Sequence, residues 1–270
     1  MTESRDTPVA VQTSDAPYVA VITGAAQGIG KRTAEVLAAK GFNLVLNDLR
    51  EPTQTLENLG NAQSLVVLGD VSSESVVQGM LEKTLAKFGR ADVLVNNAGI
   101  SFIKPAEDIT LEEWQEVINV NLTGPFLLCR EFGKHMLARG SGSIINIASV
   151  AGLLGISDRS AYNASKHGLI GLTKTLAGEW GGRGVRVNAV CPGWVLTEMD
   201  HKDTGVGTYS HADIEGRVPM GRYASPEDIA QAVAFLADGN QSGFINGHNL
   251  SVDGGWASDG SWESLRLKKR

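Results

Sequence analysis

The chain has 270 residues, with 24 Lys and Arg against 30 Asp and Glu, for a net charge of −6. That length suits one large domain, and an acidic balance whose only basic block is the Lys268-Lys269-Arg270 tail excludes the footprint expected of a nucleic-acid binder. No stretch reaches the roughly eighteen uncharged apolar residues of a membrane span, and Cys129 and Cys191 stand alone in apolar surroundings, which fits buried thiols in a reducing cytoplasm better than a disulfide or metal site.

Residues 1–16 are rich in Thr, Ser, Asp and Pro and read as a flexible arm, leaving 17–270 as one domain. From Tyr18 onward, apolar runs at 18–23, 42–48, 64–69, 91–96, 143–148, 186–191 and 248–252 each end in or near a turn former. They are apolar almost throughout, as strands covered on both faces must be. Between them, 28–40, 74–88, 111–139, 160–180 and 226–237 carry apolar residues at helical spacing, with helix starts signalled at Thr110/Glu113 and at Ser225-Pro226. The alternation predicts an α/β Rossmann fold: a seven-stranded parallel sheet with helices on both faces. The polar stretch 198–222 shows no steady period and is expected to be a lid or binding loop.

The first strand runs into Thr23-Gly24-Ala25-Ala26-Gln27-Gly28-Ile29-Gly30 and then a helix. Glycines at a strand-to-helix turn let the backbone and the unpaired N–H groups of the helix approach a pyrophosphate. Asp48 closes the second strand, where a carboxylate accepts hydrogen bonds from ribose hydroxyls and repels a 2′-phosphate, so NAD is favoured over NADP, with nearby Arg50 as the contrary sign. Asp70-Val71 and Asn97-Ala98-Gly99 also follow strands, at the edge where open α/β sheets bind ligands.

Tyr162 and Lys166 stand four apart on a predicted helix and so share a face. An adjacent ammonium favours the phenolate of Tyr162, which could then take an alcohol's proton as hydride leaves. Ser149, just past the fifth strand, could hold the substrate oxygen. Asn121 lies four residues before Pro125; with no proline N–H to meet it, its carbonyl is expected to be free for an ordered water that joins Lys166 to solvent, unless the proline only curves the helix.

Together these residues resemble the short-chain dehydrogenase/reductase family from about Tyr18 to Trp256. The resemblance implies a catalytic tetrad of Asn121, Ser149, Tyr162 and Lys166. It also implies cofactor contacts from Gly24, Gln27, Gly28, Ile29, Gly30, Asp48, Asp70, Val71, Asn97, Ala98, Gly99, Tyr162, Lys166, Pro192, Gly193, Val195 and Thr197. A homotetramer built on 111–139 and 160–180 is the expected assembly, with no metal. Small residues Ala161, Ala164, Ser165, Gly168 and Gly171, beside the apolar stripe Leu169, Leu172, Leu176 and Trp180, suit either that interface or packing within the chain. The implied reaction interconverts a secondary alcohol and a ketone. Substrate choice is expected from residues around 100–104, 151–159, Trp194 and the lid, whose His201, Lys202, Asp203, Thr204, Tyr209, Ser210 and His211 favour a sugar, sugar acid or polyol as small-molecule substrate. The alternatives are a 3-oxoacyl-thioester reductase and, from another class, a non-catalytic NAD-binding regulatory protein. The tail 256–270, with Trp256 and Trp262, either reaches a neighbouring subunit or frays.

Overall fold

In the computed structural model, which describes residues 16–197, 210–262 and 265, the seven apolar runs form one sheet. Strands β1 (Val19–Thr23), β2 (Asn43–Asp48), β3 (Ser64–Leu68), β4 (Val93–Asn96), β5 (Gly142–Ile147), β6 (Val185–Pro192) and β7 (Asn249–Val252) are all parallel, in the order β3-β2-β1-β4-β5-β6-β7. The chain runs outward from β1 through β2 to β3 and then crosses back to β4 on the other side of β1, so strand order reverses between β1 and β4, and the crevice above that point is where such sheets take ligands.

Nine helices join the strands of the described residues: α1 (Gly28–Ala39), α2 (Thr53–Glu57), α3 (Glu74–Phe88), α4 (Leu111–Ile118), α5 (Gly124–Arg139), α6 (Ser160–Trp180), α7 (His211–Arg217), α8 (Pro226–Ala237) and α9 (Gly239–Ser242). Successive strand residues feed opposite layers, which is why the runs show no alternation in sequence. Ala20 and Ile22 pack with Leu37 of α1 and Ile229 and Val233 of α8, whereas Val19 and Val21 pack with Met80 of α3, Phe132 and Met136 of α5 and Leu176 of α6. The stripe on α6 is therefore largely spent inside the chain: Leu169, Leu176 and Trp180 are buried. Among the small residues of that helix, a Cβ on Gly168 would meet Leu122, whereas one on Gly171 would meet open space.

Two expectations need correction. The segment 111–139 is not one helix: α4 and α5 are separated by a π-helical turn, Asn119–Thr123, in which the Gly124 N–H reaches the Asn119 carbonyl. Pro125 lacks the N–H that would continue the α pattern, and the wider turn accommodates that loss. Within 198–222, residues 198–209 lie outside the described residues, but 211–217 form α7, started by a reciprocal Ser210–Asp213 capping box. The expected arm falls on 1–16, of which only Ala16 is among the described residues, and 263–264 and 266–270 of the tail lie outside them too.

Candidate active site

The C-terminal ends of β1, β2, β4, β5 and β6 open onto one cavity of about 1120 Å³. Its lining includes Gly24, Gln27, Gly28, Ile29, Asp48, Asp70, Val71, Asn97, Ala98, Gly99, Ser149, Tyr162, Lys166, Pro192, Gly193, Val195 and Thr197. Gly30 and Asn121 are the two residues expected at the site that do not line it.

Gly30 acts one layer back. A Cβ there would come 2.1 Å from the Gly24 carbonyl oxygen, so only glycine lets α1 start this close to the turn. Gly24 itself has φ +64°, and a Cβ would lie 2.8 Å from the Asn97 amide nitrogen. That amide donates to the carbonyls of Thr23 and Gly24 at 2.9 and 3.1 Å, while the Thr23 hydroxyl accepts the N–H groups of Asn97 and Ala98, both at 3.0 Å. The glycine turn is thus clamped from β4, leaving a backbone-lined cradle beside the first turn of α1. These residues fit a dinucleotide's pyrophosphate, since side chains would fill the cradle and α1 begins there with unpaired N–H groups.

Asp48 Oδ2 accepts the Ala26 N–H at 2.9 Å, which ties the carboxylate to the same turn. Arg50 donates to the Gln27 side chain at 2.7 Å, placing a guanidinium at the same end of the cavity as Asp48. Asp70 Oδ1 accepts the Ser72 N–H at 2.8 Å and shapes the turn after β3.

At the other end, Tyr162 and Lys166 occupy successive turns of α6. Lys166 is 4 % exposed; its Nζ lies 5.5 Å from the centre of the Tyr162 ring and donates to the Ile147 carbonyl at 2.8 Å. Burial lowers its pKa to about 8, with buried Cys191 nearby as the smaller, opposing influence. Burial pushes the Cys191 thiol up to about 11 and that of Cys129 to about 12, so neither offers thiolate chemistry at neutral pH. Ser149 Oγ accepts the Ala151 N–H at 3.1 Å, which orients the hydroxyl at the start of the turn after β5.

Asn121 is wholly buried behind this group. Its side chain exchanges hydrogen bonds with the Ile100 backbone, accepting at 2.8 Å and donating at 2.9 Å, and also donates to Ser165 Oγ at 3.1 Å. Ser165 donates in turn to the Tyr162 carbonyl at 2.7 Å, so Asn121 is linked to the helix that carries Tyr162. A Cβ built on Gly99 would lie 3.3 Å from Asn121 Oδ1 and 3.6 Å from Lys166 Nζ, which packs these two groups around one backbone position.

Glu112, Gln115 and Glu116 of α4, which the sequence did not single out, line the cavity, and so does Arg159. The α4 residues form its outward face, a pattern indistinguishable from solvated surface in sequence. Arg159 closes the segment 151–159 from which substrate choice is expected, although nothing in the polar run Ser157-Asp158-Arg159-Ser160 singles it out within that segment. Of the lid residues cited for substrate choice, Ser210 caps α7 and His211 stacks on Tyr223 with ring centres 5.1 Å apart; the others lie outside the described residues. No cluster of metal-ligating side chains occurs among the described residues, and none of their helices is long and apolar enough to cross a membrane.

Residues 24–257 match the family described as enoyl-(acyl carrier protein) reductase. The chain is 41 % identical to D-threitol dehydrogenase of Mycolicibacterium smegmatis over 88 % of its own length and 92 % of that protein. It is 42 % identical to a 3-oxoacyl-[acyl-carrier-protein] reductase of Synechocystis sp., over 88 % of this chain and 96 % of the other. A solved structure from Beutenbergia cavernae, put forward as an NAD(P)-dependent gluconate 5-dehydrogenase and holding NADP at low occupancy, superposes with a TM-score of 0.82 at 40 % identity, covering 91 % of this chain and 99 % of that one.

Proposed function

Because the chain belongs to the short-chain dehydrogenase/reductase family, we propose that it interconverts a secondary alcohol and a ketone on a sugar, sugar acid or polyol. The observation that carries this reading is that Ser149, Tyr162 and Lys166 face the same cavity as the glycine turn and Asp48. A bound nicotinamide supplies the hydride acceptor in oxidation and the donor in reduction. Gly24, Gln27, Gly28 and Ile29 hold the pyrophosphate, with Gly30 keeping α1 close. Asp48, Asp70, Val71, Asn97, Ala98 and Gly99 line the adenosine side, and Pro192, Gly193, Val195 and Thr197 hold the nicotinamide side.

In oxidation Ser149 Oγ holds the substrate hydroxyl, and Tyr162 Oη takes its proton as hydride leaves the carbon. Lys166 stabilises the phenolate and passes the proton toward solvent. In reduction the phenol returns a proton to the carbonyl oxygen. Asn121 acts from behind, holding Ile100 and, through Ser165, the backbone of Tyr162.

NAD is the proposed cofactor because a carboxylate at Asp48 disfavours a 2′-phosphate. Acceptance of NADP is the second reading, favoured by the Arg50 guanidinium held against Gln27. Reduction of a 3-oxoacyl thioester is the second substrate reading, favoured by the likeness to the Synechocystis enzyme. We place the protein in the cytoplasm, from its two buried free thiols, as a homotetramer whose contacts include exposed Phe126 on α5 and the open side of Gly171 on α6. Sedimentation of Phe126→Glu should show smaller species than wild type.

The test is NADH absorbance with sugars, polyols, hydroxy acids and 3-hydroxyacyl thioesters, each with NAD+ and NADP+. Tyr162→Phe should bind NAD+ like wild type yet lose turnover by at least about 10²-fold. Undiminished turnover in that variant removes Tyr162 from the reaction and with it this reading, whereas no turnover of any alcohol by wild type favours a non-catalytic NAD-binding protein.

A further inference from the structure

The cavity that holds Ser149 and Tyr162 is also lined by Ile100, Ala151, Ile156 and Trp194, all largely apolar, and by Arg159. Arg159 is the residue that precedes α6, three positions before Tyr162. It is 8 % exposed and still lines the cavity. Its Nη1 donates to Ser101 Oγ at 3.0 Å, and its guanidinium carbon lies 5.6 Å from the centre of the Trp194 ring. Contacts on two sides fix the plane of the fork relative to the site.

Nothing in proton or hydride transfer uses this group, because Lys166 already supplies the cation beside Tyr162. A neutral polyol could be held there by Ser, Asn or Gln. A guanidinium is charged at every physiological pH and presents paired N–H donors matched to a carboxylate, in surroundings where water screens the attraction poorly. We propose that Arg159 receives a carboxylate carried by the substrate, so that the enzyme selects hydroxy acids and sugar acids over neutral polyols, a selection that rests on the alcohol–ketone reading above. Arg159 is then the specificity residue of the site, and Ser101 and Trp194 orient it.

D-gluconate and D-glucitol offer one hydroxylated carbon chain with and without a carboxylate. Wild type should show the higher kcat/KM for gluconate, and the gluconate-to-glucitol ratio should fall about 10- to 100-fold in Arg159→Met, the loss of one charge-assisted hydrogen-bonded pair. Arg159→Lys, which keeps the charge but not the fork, should fall between the two. A wild type that prefers glucitol, or a ratio unchanged in Arg159→Met, overturns the assignment; if that variant does not fold, the wild-type preference and the Lys variant decide. Calorimetric binding of D-gluconate to the NADH-loaded protein separates this inference from the reaction itself. Binding weakened by Arg159→Met without turnover of either compound leaves Arg159 as a carboxylate site and removes only the alcohol–ketone reading. No gluconate binding, or equal binding in wild type and variant, removes the carboxylate site.

Discussion

Burial holds the Lys166 ammonium at about 8, well under the 10.5 of an exposed lysine, although its Nζ has the Ile147 carbonyl as a partner. Between those values the unfolded chain keeps the proton and the folded chain has released it, so stability rises with pH across the window. The associated stabilisation is fully present above about 10.5 and is lost as pH falls through about 8, where the lysine is charged in both states. The ligand-free wild type should therefore gain on the order of 3 kcal/mol relative to Lys166→Met between pH ~7.5 and pH ~10.5. Paired urea melts across that range check it, and parallel curves would contradict a buried, shifted lysine. In catalysis the sign reverses: above pH ~8 the neutral amine no longer stabilises the Tyr162 phenolate, so Lys166-assisted activation should weaken just where stability improves. Asp48 gives a second residue-scale test. Replacing it by Ala removes both the repulsion of a 2′-phosphate and the 2.9 Å bond to Ala26 N–H, so affinity for both cofactors should drop while the NADP+/NAD+ preference in kcat/KM rises about tenfold or more. A ratio that stays fixed would mean that Asp48 only braces the turn.

Elements, more than single side chains, set the spacing of the site. The start of α1 presses on the end of β1 so closely that a Gly30 Cβ would come 2.1 Å from the Gly24 oxygen, a backbone atom that cannot swing away. Gly30→Ala should lose about 1–3 kcal/mol of stability and, because the cradle opens, weaken NAD+ binding more than Asp48→Ala does; fluorescence titration and thermal melts measure the two effects. This contact is legible in the amino-acid sequence, since a strand running into glycines and then helical spacing has few physical solutions. The parallel sheet is legible for a similar reason: strands covered by α1 and α8 on one side and by α3, α5 and α6 on the other cannot show polar alternation. Other features leave no such trace. Five residues of α2 and seven of α7 are too few to display a period, and the polar composition of α7 reads as loop. Pro125 announces a broken hydrogen-bond ladder but not the form of the break, because kink and π-turn differ in how the neighbouring N–H of Gly124 finds a carbonyl. The part of Asn121 that can be foreseen is its place before a proline; its side-chain grip on Ile100 and Ser165 depends on residues 21 and 44 positions away.

At the scale of the whole molecule, the segment after β7 joins α7 to the cavity. Asp253 accepts the N–H groups of Gly255 and Ala257 at 2.9 and 2.8 Å, which folds the chain back beneath 218–220, where the Met220 N–H donates to the Gly254 carbonyl. Trp256 then packs on Trp194 in a tilted arrangement with ring centres 4.7 Å apart, and Arg217 of α7 lies 5.3 Å from the Trp256 ring centre. Arg217 also donates to the carbonyls of Trp256 and Asp259. Trp194 faces the cavity, so the substrate wall, α7 and residues 253–259 form one connected unit within the chain, whereas Trp262 beyond them is 79 % exposed. A chain ending at Gly255 loses the Trp256 packing and the Arg217 contacts together, about 2 kcal/mol of aromatic and cation–π interaction, and its substrate KM should rise about tenfold or more. NAD+ affinity should change less than substrate KM, because Asp48 and the glycine turn, which hold the adenosine and pyrophosphate, belong to the opposite half of the sheet. A chain ending at Ser261 keeps the whole unit and should match the full-length enzyme in KM. Steady-state kinetics on the two truncations, with NAD+ binding as the control, separate the possibilities: loss at Gly255 alone assigns the effect to the Trp194–Trp256–Arg217 unit, loss in both assigns it to the final residues acting on a neighbouring subunit, and loss in neither shows that α7 holds the wall without help.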